Sequence, residues 1–357
     1  LRPQALALSP DGASLLVSGK TSELLVLDPV TGGIRQRVAL PNDKQAEPQP
    51  AAASANFLDP DRKGQASFTG LVFSPDGRRV YLSNVNGSIK VFNVAAGGGV
   101  TPSHSIALPP AGAPRRKEEI PSGLAVSRDG ALLYVCANLS NRLLEIETAT
   151  GRVRRTFDVG VAPYDVVLTG ERAYVSNWGG RRPGPGDLTG PAGRGTVVRI
   201  DPETHAASEG SVSIVPLAAA AGSVAEIVTG RNASALALSP DGRHLVCANA
   251  GADHLTVIDT RTGAKVETIW CKPSPADLLG ASPNALAFDP SGRRLYAANG
   301  AQNAVAVIRF DPADRESRLL GLIPVGWYPG ALVLDPRRDT LAVGHRSEEH
   351  TSELQSR

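Results

Sequence analysis

The sequence predicts an all-β chain folded as a seven-bladed β-propeller of four-stranded blades, with the seventh blade truncated. A repeated apolar phrase, the turn that follows it and a near absence of helical periodicity carry that prediction. The phrase occurs seven times: Ala5-Leu6-Ala7-Leu8, Gly70-Leu71-Val72-Phe73, Gly123-Leu124-Ala125-Val126, Asp165-Val166-Val167-Leu168, Ala235-Leu236-Ala237-Leu238, Ala285-Leu286-Ala287-Phe288 and Ala331-Leu332-Val333-Leu334. Self-similarity at this spacing marks blades or solenoid turns. The turns read Ser9-Pro10-Asp11-Gly12, Ser74-Pro75-Asp76-Gly77, Ser127-Arg128-Asp129-Gly130, Ser239-Pro240-Asp241-Gly242 and Asp289-Pro290-Ser291-Gly292. Proline presets φ and glycine closes the turn, which joins two strands.

Each element of a blade has its own signal. The first strand is apolar at nearly every position, as a strand covered on both faces must be. A second β-rich run follows the turn and ends at a small residue or Asn, as in Tyr134-Val135-Cys136-Ala137-Asn138 and Tyr174-Val175-Ser176-Asn177. A third run, such as Leu255-Thr256-Val257-Ile258, closes in a turn of the kind Asp259-Thr260-Arg261-Thr262-Gly263, and a fourth leaves it. Four antiparallel strands joined by tight turns make one blade. Ring closure protects most sheet edges. The stretch 218–226 reads as a short helical turn.

Composition narrows the function classes. The 357 residues carry a net charge of +2, and the basic run Arg115-Arg116-Lys117 is offset at once by Glu118-Glu119. That balance offers no footprint for nucleic acid. No apolar stretch reaches the length of a membrane span. Three cysteines cannot form a disulfide framework. Cys136 and Cys247 share a strand position suited to small buried residues, whereas Cys271 falls in a connection. Residues 346–356 match the translation of a common sequencing-library adapter. The propeller is therefore expected over 1–345, with 346–357 a non-native tail and the chain a fragment.

Strand order places the two short turns of every blade on one face. The loops after each Asn and the crossings into the next blade share the other. The long segments 41–66, 109–120, 178–195, 216–231 and 271–282 are all assigned to that second face, which marks it as the binding side. Asn177 and Trp178 open its most unusual loop, in which Arg181, Arg182 and Arg194 are candidates to clamp a phosphate or carboxylate; the alternative is a surface loop with solvated arginines. Tyr164, Trp327 and Tyr328 lie in crossings near the channel mouth, placed to stack on a ligand or to plug the channel. Polar neighbours recur there as Pro3-Gln4, Pro121-Ser122, Pro163-Tyr164 and Pro283-Asn284, and are expected to satisfy strand-end backbone groups. No histidine pair has metal-ligand spacing, and no strand–loop–helix unit holds a phosphate loop. Asp165 and Asp253 are acids that would support a catalytic site at the channel mouth if they converge there.

The Tyr-Val-Ser-Asn and Tyr-Val-Cys-Ala-Asn endings resemble YVTN-type propeller repeats. Over most of 120–344, phrases such as Tyr174-Val175-Ser176-Asn177-Trp178-Gly179-Gly180-Arg181-Arg182-Pro183 and Gly321-Leu322-Ile323-Pro324-Val325-Gly326-Trp327-Tyr328-Pro329 look like the propeller half of bacterial proteins in which a phosphoesterase of the alkaline phosphatase superfamily follows. That resemblance implies an exported, periplasmic or secreted protein and a phosphoesterase domain of the same chain as partner, with no catalytic, metal or cofactor residue carried over onto these positions. The expected function is a non-catalytic docking or interaction module, taking an anionic small molecule or a protein on its long-loop face. The alternatives are a lactonase-like propeller enzyme with its site at the channel mouth, and a cell-surface adhesion propeller.

Overall fold

Six four-stranded antiparallel sheets and a two-stranded seventh follow one another along the chain among the described residues. These are residues 3–19, 21–43, 63–114, 116–192, 196–218, 222–274, 276–278 and 280–345 of a computed structural model. The blades span 3–39, 66–107, 121–158, 163–229, 233–270, 283–324 and 329–345. Their first strands are Pro3–Leu8, Ala66–Phe73, Pro121–Val126, Pro163–Thr169, Ala233–Leu238, Pro283–Phe288 and Pro329–Asp335. Each touches the first strand of the blade before and after it, and Pro329–Asp335 meets Pro3–Leu8 to close the circle. The chain is a β-propeller with these seven strands as its hub.

Local chemistry explains why each blade turns where it does. In Ser9-Pro10-Asp11-Gly12 the Ser9 hydroxyl donates to Asp11 and accepts from the Ser14 amide, while Gly12 takes φ +70°. The same arrangement recurs at Ser74, Ser127 and Ser239. At the other short turn, Asp28 accepts from the amides of Val30 and Thr31, as Asp259 does from that of Thr262. These side chains occupy backbone donors that a turn would otherwise leave unpaired.

The core is laid down in layers between blades. Leu236 packs with Tyr174, Val212 and Cys247 on one side of its strand. Its neighbour Ala235 packs with Val246, Leu295 and Ala306 on the other. Likewise Leu124 faces Tyr81 and Ile89 of blade two, and Ala125 faces Tyr134 and Val175 towards blade four. The Ala-Leu alternation is thus a small side chain against the following blade and a large one against the preceding blade. Gly70 shows how tight this is: a Cβ there would lie 2.0 Å from Ser83 Oγ and 2.2 Å from the Ser122 carbonyl of the next hub strand. Between blades seven and one, Arg337 donates to the Pro10 carbonyl and Arg338 to that of Gly12.

Blade four departs from the expected layout. Its third strand is Gly210–Pro216, paired with Arg172–Asn177, and its fourth is Ala225–Thr229. The stretch 216–231 is therefore not a long-loop-face insertion: its 217–224 portion joins third to fourth strand, on the short-turn face. The helical turn expected at 218–226 is absent among the described residues, because Ala225 and Glu226 already belong to a strand. The insertion after Asn177 is correspondingly longer and carries its own hairpin, Thr189–Ala192 with Thr196–Arg199. The crossing 41–66 lies largely outside the described residues, as do Arg194 and the tail 346–357.

Candidate functional site at the hub mouth

Each hub strand enters from the long-loop face through an irregular step. Register shifts between Pro3 and Ala5, Pro163 and Asp165, Pro283 and Ala285, and Pro329 and Ala331, with wider irregularities in the other three hub strands, the widest from Ala66 to Leu71. The residue within the step that comes just before the repeated phrase is Gln4, Thr69, Ser122, Tyr164, Ser234, Asn284 or Gly330 in blades one to seven. Bulges of this kind re-aim side chains and occur often beside active sites. Here they collect one residue per blade into a rim.

Part of that rim is structural, as expected. Ser122 Oγ donates to the Pro163 carbonyl of the next hub strand at 2.7 Å, and Ser234 Oγ to that of Pro283 at 3.2 Å. The other part is not. Gln4 Oε1, Thr69 Oγ1 and Asn284 Oδ1 are buried without a hydrogen-bond partner. The polar ring thus splits into a satisfied arc and an unsatisfied one, and the expectation that it serves backbone groups throughout is corrected.

One position further in, six blades place Ala5, Gly70, Gly123, Ala235, Ala285 and Ala331, whereas blade four places Asp165. There is room for no larger uncharged neighbour: a Cβ on Gly123 would lie 2.6 Å from Asp165 Cα. The Asp165 carboxylate accepts from the Leu236 amide of blade five at 2.9 Å and from its own neighbour Val166 at 2.9 Å. Protein packs round the carboxyl, although the residue as a whole keeps some surface, and this burial lifts its pKa to about 6 against the two backbone hydrogen bonds that pull it down. Cys136 and Cys247 are free, buried, and held protonated by desolvation, with the Asp165 charge adding to the effect; the Cys247 thiol is pushed up to about 12. Both belong to the core, and Cys271 is buried as well.

Aromatic rings lie at two hub-strand entries, Tyr164 at blade four and Tyr328 at blade seven. Tyr164 and Trp178 lie with centroids 5.8 Å apart and planes tilted by 31°, and Trp178 remains 38% exposed. Trp327 is 55% exposed in the crossing to blade seven, and the Tyr328 amide is held by Asn303 Oδ1. Gly300 lets Tyr328 and Asn284 approach, since a Cβ there would lie 2.9 Å from the Tyr328 ring and 2.6 Å from Asn284 Nδ2. Asn177 does not face a ligand: it is fully buried, and its Nδ2 donates to Ser211 and Ser213.

The arginines of the insertion are engaged by protein. Arg181 makes a two-pronged pair with Glu209 at 2.9 Å through both Nε and Nη2. Arg182 donates to the carbonyls of Val159 and Asn141 and to Asp158. Arg182 also borders an outer cleft of about 340 Å³ between the 109–120 crossing and the inserted hairpin, with Ala113, Leu139, Asn141, Pro183 and Val197. That cleft is separate from the rim. Asp253 is buried and caps the 271–282 crossing by accepting from Gly280 and Ser282, with Lys272 Nζ 3.9 Å away. Among the described residues no group of three or more His, Cys, Asp or Glu side chains is arranged to hold a metal ion, and no helix is long and apolar enough to cross a membrane.

Comparison with known proteins agrees with this architecture. A family model described as "Lactonase, 7-bladed beta-propeller" matches residues 207–326. Curated protein sequences gave no match. A periplasmic gluconolactonase of Pseudomonas aeruginosa superposes with a TM-score of 0.61 at 18% identity, over 97% of this chain and 89% of that one. A Bacteroides uniformis structure proposed to be a 6-phosphogluconolactonase gives 0.63 at 17%, over 96% and 88%. Hydrazine synthase of Kuenenia stuttgartiensis gives 0.65 at 16%, over 97% and 96%. Identities this low establish a shared fold and nothing finer.

Thr69 and Glu209 were not singled out from the sequence. Aligning the seven hub strands by their bulge would have found Thr69. Glu209 had no signal, since its pairing with Arg181 depends on how the insertion folds back.

Proposed function

We propose that the propeller is a lactonase-like hydrolase that opens a cyclic ester at the hub mouth on the long-loop face, with Asp165 as its acid–base group. The observation that carries this reading is Asp165 itself, a carboxyl at a hub position where the other six blades have Ala or Gly. A carboxyl with a pKa of about 6 is divided between its two forms near neutrality, which suits a group that takes a proton and returns it. As carboxylate it would remove a proton from water as the water oxygen adds to the ester carbonyl. The carbon–oxygen bond of the ring then breaks, and the same proton passes to the leaving alkoxide to give a hydroxy acid. Trp178, packed on Tyr164, offers an apolar face against which a sugar-like ring can lie.

The family match over 207–326 and the gluconolactonase neighbours support this reading over a docking module for a phosphoesterase. The periplasmic neighbour favours an exported location. The test is hydrolysis of D-glucono-1,5-lactone, followed by acid release at constant pH. Wild type should accelerate hydrolysis beyond the buffer rate, with the rate rising as pH passes about 6. Asp165→Asn should lower kcat by at least a hundredfold while leaving KM within a few-fold. Absence of turnover by folded wild type, or full turnover by the variant, overturns the assignment.

A further inference from the structure

We propose that the rim of the hub mouth from blade six round to blade two is a subsite for the hydroxyl groups of a neutral, polyhydroxylated ligand. The inference deepens the lactonase reading, on which its catalytic arm rests, by assigning where the substrate's hydroxyls are held.

Four neighbouring rim positions make the argument. In ring order they are Asn284, Gly330, Gln4 and Thr69, each inside the bulge of its hub strand. Asn284 is only 8% exposed, yet its Oδ1 has no partner; Gln4 Oε1 and Thr69 Oγ1 are likewise buried and unpaired. A buried acceptor left without a donor costs about 1–3 kcal/mol, so three at equivalent positions of one rim call for a use. At the equivalent positions of blades three and five the hydroxyls of Ser122 and Ser234 are fully occupied by carbonyls of the next hub strand. Among the bulge positions the unpaired oxygens thus fall in blades six, one and two, while the other buried unpaired oxygens among the described residues, of Ser18, Asn177, Glu267 and Asn299, lie on second and fourth strands outside these bulges.

Gly330 lies between Asn284 and Gln4 in ring order and adds space. A Cβ built there would meet nothing within 4 Å. Its φ is not among the left-handed values, so the backbone does not demand glycine. Space beside unpaired acceptors calls for a ligand that donates hydrogen bonds. Two of the three acceptors are amide oxygens, and an amide turned over would present its NH₂ group instead. A hydroxyl can both donate and accept, so it serves either orientation, whereas a carboxylate or phosphate could not donate at all. None of the four positions is itself cationic, which sets them apart from the arginine-rich insertion of blade four. Across the ring, Tyr164 and Trp178 supply the apolar face that the opposite side of a sugar-like ring would need.

The test pairs binding with kinetics. Saturation-transfer NMR uses D-glucitol, a neutral polyol that no hydrolase consumes, and kinetics compare D-glucono-1,5-lactone with unsubstituted δ-valerolactone. Gly330→Leu fills the notch, and Asn284→Ala removes one acceptor; the latter carries the test if the former does not fold. Either variant should lose the glucitol signal and raise KM for gluconolactone at least tenfold, with kcat/KM for valerolactone within twofold of wild type. If wild type turns over neither lactone but its glucitol signal is lost in the variants, the lactonase reading falls and the hydroxyl subsite stands. If gluconolactone and valerolactone respond alike, or glucitol gives no signal with wild type, water alone occupies the arc and the subsite is overturned.

Discussion

Replacing Asp165 by Asn should change how stability depends on pH, and by an amount the structure fixes. The native pKa of about 6 lies above the ordinary 3.8, so between those values the folded state holds more protons than the unfolded one. Stability therefore falls as pH rises through that window and is level above it. With roughly 1.4 kcal/mol per pKa unit, the charged carboxylate costs the fold about 3 kcal/mol at pH 8 and about 1 kcal/mol at pH 4.5. Asparagine removes this titration. It also sets an NH₂ group against one of the two amides, Leu236 or Val166, that now donate to the carboxylate, at a cost of about 1–3 kcal/mol independent of pH. The net effect at a single pH is thus a near balance, but the difference between two pH values isolates the ionisation. Urea unfolding of both proteins at pH 4.5 and pH 8 should show the variant gaining about 2 kcal/mol relative to wild type at the higher pH. Parallel pH dependence of the two proteins would mean that Asp165 is not desolvated, and would remove the basis for its acid–base role.

Three further outcomes test the packing that positions the site. Gly70→Ala drives a methyl into the Ser122 carbonyl and should cost about 3 kcal/mol, whereas Gly97→Ala, with nothing within 4 Å, should leave the melting temperature unchanged; equal melting temperatures would contradict the close approach of hub strands two and three. Glu119, 1% exposed, accepts from the amides of Ile120, Leu139 and Ser140, so Glu119→Ala should cost about 3 kcal/mol in urea unfolding and Glu119→Gln distinctly less; a loss below 1 kcal/mol for alanine would show that water replaces the carboxylate. Arg181→Ala should speed hydrogen exchange across 189–199 at least tenfold while global stability drops by no more than about 1 kcal/mol, because its pair with Glu209 is partly exposed; unchanged exchange would mean that the pair does not moor the hairpin.

The propeller was legible because its information is local and repeated. Phrases such as Ala235-Leu236-Ala237-Leu238 encode a strand with a small and a large side, and Ser239-Pro240-Asp241-Gly242 encodes its exit. Blade four was misread because two of its segments carry the same signal. Thr196–Arg199 is a β-rich run leading into Asp201-Pro202-Glu203-Thr204-His205, a turn like those ending third strands elsewhere. Gly210–Pro216 pairs in its place, with Ser211 and Ser213 receiving the buried Asn177 amide. That choice depends on contacts more than thirty residues apart, which no local pattern reports. The rim was half legible: Pro-polar pairs at the crossings pointed to Gln4, Ser122 and Asn284, but which of them find partners is decided by carbonyls on neighbouring strands. Of the expected clamp, Arg181 and Arg182 are engaged by Glu209, Asp158 and nearby carbonyls, and Arg194 lies outside the described residues.

The join between Asp335-Pro336-Arg337-Arg338 and the first turn deserves a mechanical reading. Here the two partners are separated by 327 positions of chain, and two guanidinium-to-carbonyl bonds join them. They add to the packing of hub strands Pro329–Asp335 and Pro3–Leu8, so the junction is held at the hub and again at the short-turn face. Because a guanidinium keeps its charge at any working pH, this tie between the first and seventh turns persists across the range in which the carboxylates of the ring titrate.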